Sequence, residues 1–143
     1  MGTPALLDSN IVIYFLDNAM SEKAMDYVEK QLNEFGSFIS VITLIELLGW
    51  QAPTEQAVNQ IELFVAETNI IPLSDQLVSK TIELRRSLKI KLPDAIIAAT
   101  AIVHDFVLIF ALLGFFTKQT TFDHQGQGLL PIPVNQFSSS TYF

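Results

Sequence analysis

Short apolar runs alternate with helix-like stretches along most of this chain. Ala5–Leu7 is wholly apolar and predicts a buried strand, followed by a helix over about Ser9–Asp17. Ser21 can cap a helix running to about Phe35, which Gly36 ends. Ser37–Ser40 predicts a second strand. Ile42–Gly49 is apolar nearly all round and predicts a buried helix. Pro53 and Thr54 open a further helix to about Glu67, and Asn69–Leu73 predicts a third strand. Ser74 can cap a helix to about Leu88, with Leu77, Leu84 and Leu88 on its inner face. Pro93 suits the first turn of the next helix, which runs to His104. Phe106–Phe110 predicts a fourth strand, and Leu129–Val134 a fifth that Pro131 and Pro133 confine to a sheet edge. This alternation implies an α/β fold: a central, mostly parallel sheet of four to five strands, flanked by helices on both faces.

The 143 residues suit one domain, over residues 1–134, with no repeat and no linker. The polar stretch Asn135–Phe143 is expected to fray. Half of the residues are hydrophobic and 16% are charged, enough for a sizeable core. There is no cysteine, which excludes disulfides, thiolate metal sites and a thiol nucleophile. Asp8 and Asp17 interrupt the apolar start, so it does not read as a signal peptide. The longest uncharged apolar stretch, Phe106–Thr117, falls short of the ~20 residues of a membrane span. These features predict a cytoplasmic protein with no membrane partner.

The net charge of −7 is unevenly spread. Residues 1–70 hold two basic side chains against ten acids, whereas residues 71–143 hold six against five. Five of those six lie between Lys80 and Lys91. An acidic protein repels nucleic acid at long range, so a polyanionic substrate would need that local basic stretch and bound metal.

Asp8, Glu46 and Asp94 each lie within an apolar run. Each has a structural explanation of its own. Asp8 suits a helix N-cap, Glu46 could share a polar helix edge with Thr43, and Asp94 suits a first helical turn. Buried acids are nevertheless rare unless paired or bound to metal. Three of them point to a shared site where a divalent cation offsets their repulsion. Oxygen ligands suit Mg²⁺ or Mn²⁺, which can lower the pKa of an attacking water and orient a phosphate. His104 and His124 have no zinc-motif spacing. Arg85 and Lys89 share a helix face, and with Arg86 they stand close in sequence to Asp94. They are either phosphate contacts or a solvated face.

The segments Leu6-Leu7-Asp8-Ser9-Asn10, Ser40 through Leu47, and Leu92-Pro93-Asp94-Ala95 through Ala101 resemble PIN-domain ribonucleases, above all the VapC-type toxins of bacterial toxin–antitoxin pairs. The resemblance covers about residues 4–110. It implies a three-layer sandwich and endonuclease action on RNA that depends on Mg²⁺ or Mn²⁺. It also implies homodimerisation and inhibition by a cognate antitoxin. Asp8, Glu46 and Asp94 take the place of metal-site acids, and Ser9 and Asn10 match the polar pair that would orient water or phosphate. The family continues from its fourth strand into a Thr-Arg-Asn-x-x-Asp-Phe pattern. Here an apolar stretch, Phe110–Phe116, comes first, and Lys118, Gln119 and Asp123 stand at displaced or altered positions. Asp123 is the candidate fourth acid. The stretch is either a genuine variation that lengthens the fourth strand or makes a contact surface, or the start of a tail read in an altered frame.

Two rivals to a working nuclease remain. One is a catalytically degenerate PIN domain that only binds protein or RNA. The other is a phosphoacceptor signalling domain, which would place adjacent acids after the first strand; this chain has Asp8-Ser9-Asn10 there.

Overall fold

The computed structural model describes residues 2–112 and 116–120, with side chains described through residue 109. In chain order the elements are β1 (Ala5–Leu7), α1 (Ser9–Leu16), α2 (Glu22–Phe35), β2 (Phe38–Ser40), α3 (Val41–Gly49), α4 (Glu55–Glu67), β3 (Asn69–Ile71), α5 (Asp75–Ser87), α6 (Leu92–Val103), β4 (Val107–Leu112) and β5 (Phe116–Thr120). The sheet order is β3-β2-β1-β4-β5. The first four strands run parallel, and β5 returns antiparallel to β4.

Local chemistry sets most boundaries. Ser21, Thr54 and Ser74 each accept a hydrogen bond from the backbone N–H three residues on, at 3.1–3.2 Å, and so start α2, α4 and α5. Gly36 ends α2 at φ 84°, a left-handed conformation that favours glycine. Pro93 occupies the first turn of α6, where its missing N–H removes no helical bond.

Alternation along the strands divides the core. Ala5 and Leu7 of β1, with Val107 and Ile109 of β4, face a cluster completed by Ile11, Val12, Val28, Leu47 and Ile61 from the first four helices. Leu6 and Leu108 point the other way, onto Ile97 and Ala101 of α6. The alanines of α6 then receive Leu77 and Leu84 of α5. The result is three layers, helices–sheet–helices, with both sheet faces buried. Among the described residues no helix is long and apolar enough to cross a membrane.

The chain moves outward from β1 through β2 to β3, then returns to the other side of β1 to lay down β4. The carboxyl ends of β1 and β4 therefore flank the point where strand order reverses, the usual ligand crevice of an open α/β sheet. β1 leads there directly into α1. Because α6 precedes β4 and runs back along the sheet, its N-terminus lies at the same end.

The structure corrects several sequence expectations. α3 is not buried all round. Thr43 and Leu47 point inward, but Ile45 and Leu48 are 61% and 55% exposed. An apolar composition hides which face of a helix meets the core. Leu88 is 38% exposed, because α5 ends at Ser87 and Leu88 is its extended C-cap. β3 stops at Ile71 rather than Leu73. The fourth strand runs on to Leu112 rather than Phe110, and Phe116–Thr120 form a further strand paired with β4. The expected strand at Leu129–Val134 and the tail Asn135–Phe143 lie outside the described residues.

The division of α3 is open to a direct check. Leu47→Ala should lower unfolding free energy by about 2–5 kcal/mol, and Ile45→Ala should change it by less than about 1 kcal/mol. Urea denaturation of both variants measures this, and equal losses would contradict the assignment of faces.

Candidate metal centre

Asp8 stands where β1 gives way to α1, and both neighbours use its backbone. Its N–H donates to the Ile109 carbonyl of β4 at 3.0 Å, and its carbonyl accepts from Val12 N–H at 3.1 Å, inside α1. The residue is extended (φ −79°, ψ 158°), the usual N-cap conformation. One carboxylate oxygen, Oδ1, accepts from Ser9 N–H at 2.8 Å. The N-cap explanation is thus correct for Asp8, yet it accounts for only one of its two oxygens. The residue is 2% exposed.

Glu46 reaches the same place from α3. Ser40 ends β2 and caps α3, its Oγ accepting from Thr43 N–H at 3.1 Å and lying 3.2 Å from Thr43 Oγ1. Thr43 is therefore buried and does not share a solvent edge with Glu46. Glu46, three residues on, is half-buried. Ser9 Oγ donates to Glu46 Oε2 at 2.8 Å and lies 3.4 Å from Asp8 Oδ1. One serine thus sits between two carboxylates.

Asp94 lies in the first turn of α6, 4% exposed, where the helix dipole favours negative charge. It is close enough to raise the proton affinity of both other acids. The Asp8 carboxyl is pushed up to about 7, chiefly by burial, then by the charge of Glu46, and less by Asp94; its bonds to Ser9 oppose the rise. Glu46 is also raised, first by burial, with Asp94 adding and the Ser9 hydrogen bond opposing.

Asp8 Oδ2 and Glu46 Oε1 are buried without a hydrogen-bond partner among the described residues. Such atoms are uncommon in a folded protein because each forfeits its hydration. One free oxygen from each of two neighbouring carboxylates fits a hard divalent cation. Among the described residues, no three acid or imidazole side chains converge as a ready-made cage. Mg²⁺ commonly keeps several waters and takes one or two carboxylates, so this donor set fits it in that mode.

The remaining expected residues are placed as follows. Asn10 is buried in the first turn of α1. Arg85 donates through Nη1 to the Ile90 carbonyl, tying the end of α5 to the approach of α6. Arg86 and Lys89 are exposed along that connection. Lys80 is paired with Glu83 at 3.0 Å. His104 caps the far end of α6 and stacks on Phe106, away from the acids. Asp123 and His124 lie outside the described residues. Sequence reasoning assigned Ser9 to water or phosphate and missed that it joins Asp8 to Glu46. It also missed Ser40 as the cap that aims α3, although a serine ahead of an apolar helix is a cap signature.

The comparisons with known proteins bear on the family and the fold. The PIN domain family profile matches residues 5–112. Among solved structures, a toxin–antitoxin complex from Klebsiella pneumoniae is 31% identical, with TM-score 0.58, covering 73% of this chain and 82% of that one. VapBC2 from Rickettsia felis, bound to a DNA fragment from its promoter, is 26% identical with TM-score 0.59, covering 73% and 84%. DNA-bound VapBC from Salmonella typhimurium is 25% identical with TM-score 0.61, covering 75% and 85%. No curated protein matches significantly by sequence. A profile match that spans all but the last element of the described fold, together with these likenesses, shows that the chain belongs to the PIN-domain family.

Proposed function

We propose that this chain is a metal-dependent endoribonuclease, the toxin of a toxin–antitoxin pair, hydrolysing RNA phosphodiester bonds with Mg²⁺ or Mn²⁺. The observation that carries this is the Asp8–Ser9–Glu46 arrangement, with one buried, unpartnered oxygen on each acid and Asp94 beside them. Membership of a nuclease family and likeness to VapBC complexes support it. A cognate antitoxin, a homodimer and a cytoplasmic setting follow from the same resemblance.

Asp8 and Glu46 would hold the cation through Oδ2 and Oε1, and Asp94 would add negative charge at the mouth of α6. When bound, the cation supplies an activated water and neutralises charge on the phosphate. Asp8 holds a proton up to about neutral pH, so it must release that proton before it can ligate. Asp8 and Asp94 are buried, and Glu46 is half-buried beside them. Arg86 and Lys89 are exposed to meet the RNA backbone, whereas Arg85 also has a structural bond to Ile90. Asp123 is proposed as a fourth acid on sequence grounds alone.

One observation favours a binding-only PIN domain. Lys118 and Gln119, which stand for the family's Arg and Asn, are strand residues paired with Phe110 and Ile109. That pairing holds both residues in the edge strand of the sheet.

Asp94→Asn should keep the fold and reduce cleavage of mixed RNAs with Mn²⁺ by roughly 10²-fold or more, to the level seen with EDTA. Unchanged cleavage would remove Asp94 from the chemistry. A folded wild-type protein that cleaves nothing with metal would favour the binding-only reading.

Asp8 also predicts a pH signature. Its folded pKa, about 7, lies above the ordinary 3.8, so the folded state holds the extra proton between these values. The associated stability is full below the ordinary value and is lost as pH rises through about 7, on the order of a few kcal/mol. Without metal, wild-type Tm should fall relative to Asp8→Asn between pH 5 and pH 8. Mn²⁺ should raise wild-type Tm more at pH 8 than at pH 5. Parallel Tm profiles for the two proteins would contradict the shift.

A further inference from the structure

Resting on the metal-centre reading above, we infer that Ser9 is a positioning residue: its hydroxyl holds the Glu46 carboxylate by Oε2, in the orientation that leaves Oε1 free to share one cation with the Asp8 oxygen that the Ser9 backbone N–H leaves unengaged. Ser9 is wholly buried, and its two polar groups face different acids. The backbone N–H engages Asp8 Oδ1 at 2.8 Å. The hydroxyl has one proton, and the distances assign it to Glu46 Oε2, at 2.8 Å, rather than to Asp8 Oδ1, at 3.4 Å.

The unpartnered atoms are complementary to this. In each acid the oxygen that Ser9 engages is satisfied, and the other is buried without a partner. Ser9 therefore decides which oxygen of each acid is left over. Glu46 is also the more mobile of the two. Its side chain has three rotatable bonds and is only half-buried, whereas the short Asp8 side chain sits on a backbone fixed from both sides. Without the hydroxyl, Glu46 is free to turn toward solvent, away from the charges of Asp8 and Asp94, which raise its free energy in the cleft. The hydrogen bond opposes that repulsion before a cation arrives. Ser9 itself has no lone role as a ligand here, since its proton is directed at Glu46. Groups that orient a metal's ligands typically change affinity by 10–100-fold when removed.

The experiment is Mn²⁺ binding to the metal-free chain, measured by calorimetry at pH 8, for wild type, Ser9→Ala, Ser9→Thr, Glu46→Gln and the Ser9→Ala/Glu46→Gln pair. Circular dichroism checks each fold. Ser9→Ala should weaken Mn²⁺ binding by about 10-fold or more, and Ser9→Thr, which keeps the hydroxyl, should restore most of the loss. In the Glu46→Gln background, Ser9→Ala should change affinity by less than about 2-fold, because the residue it positions has already lost its charge. If Ser9→Ala does not fold, Ser9→Cys, close in size but a poor donor, carries the same expectation. Equal binding by wild type and Ser9→Ala would overturn the positioning role and leave the metal centre standing. An additive loss in the double variant would overturn it too, since Ser9 would then act independently of Glu46. A wild-type chain that binds no Mn²⁺ would overturn the metal-centre reading and this inference with it.

Discussion

The arrangement depends on a single junction, the backbone of Asp8. Its N–H belongs to the sheet, through Ile109, and its carbonyl belongs to the helix, through Val12. A residue whose backbone is held from both sides cannot retreat, so its side chain stays where the strand order reverses. Burial there costs a carboxylate its hydration, and the nearby charges of Glu46 and Asp94 add to that cost. The surrounding fold over-determines the position. β1 is flanked by parallel strands, Leu7 and Leu6 are buried on opposite faces, and α1 is anchored by Ile11 and Val12 in the main cluster. Core burial elsewhere compensates for the electrostatic cost concentrated at one end of the sheet.

α3 shows how one short helix serves three environments. Thr43 and Leu47 are four residues apart and fall on one face, which meets Ser40 and the core. Glu46 lies about a quarter-turn from Leu47 and reaches Ser9. Ile45 and Leu48 take the outward face and remain exposed. The Ser40 cap fixes where the helix begins, and in doing so sets the rotation that delivers Glu46 to the cleft. A change in the rotation of α3 would move Glu46 away and bring an apolar side chain in its place.

These facts explain what was legible in the sequence. The strands at Ala5–Leu7 and Phe38–Ser40, the capped helices α2, α4 and α5, and Pro93 in α6 were readable because local chemistry specifies them within a few residues. Asp8, Glu46 and Asp94 stood out because a charge inside an apolar run conflicts with its surroundings, and the fold brings those three near one another. Other features were not local. The exposed face of α3 depends on which elements pack against it, and an all-apolar helix carries no period to read. Leu88 fell outside the core because the helix ended one residue early. β5 was hidden because Phe116–Thr120 lacks a hydrophobic alternation and gains its pairing from β4. The bond from Ser9 to Glu46 crosses 37 residues of sequence, so no local pattern announces it.

The acids can be relieved in two ways, and the two compete. A proton on Asp8 removes its charge and suits the buried site up to about neutral pH. A divalent cation removes the repulsion among several acids at once, but only if Asp8 is ionised and each acid keeps an oxygen free. Protonation needs no orientation of Glu46, whereas shared ligation does. The Ser9 hydroxyl contributes nothing to the first solution that a water could not, because a neutral Asp8 no longer repels Glu46. It matters to the second, where two carboxylates must stay side by side while both are charged. On the metal-centre reading proposed above, one small buried hydroxyl between the two acids favours the charged, ligating state of the pair over the protonated one.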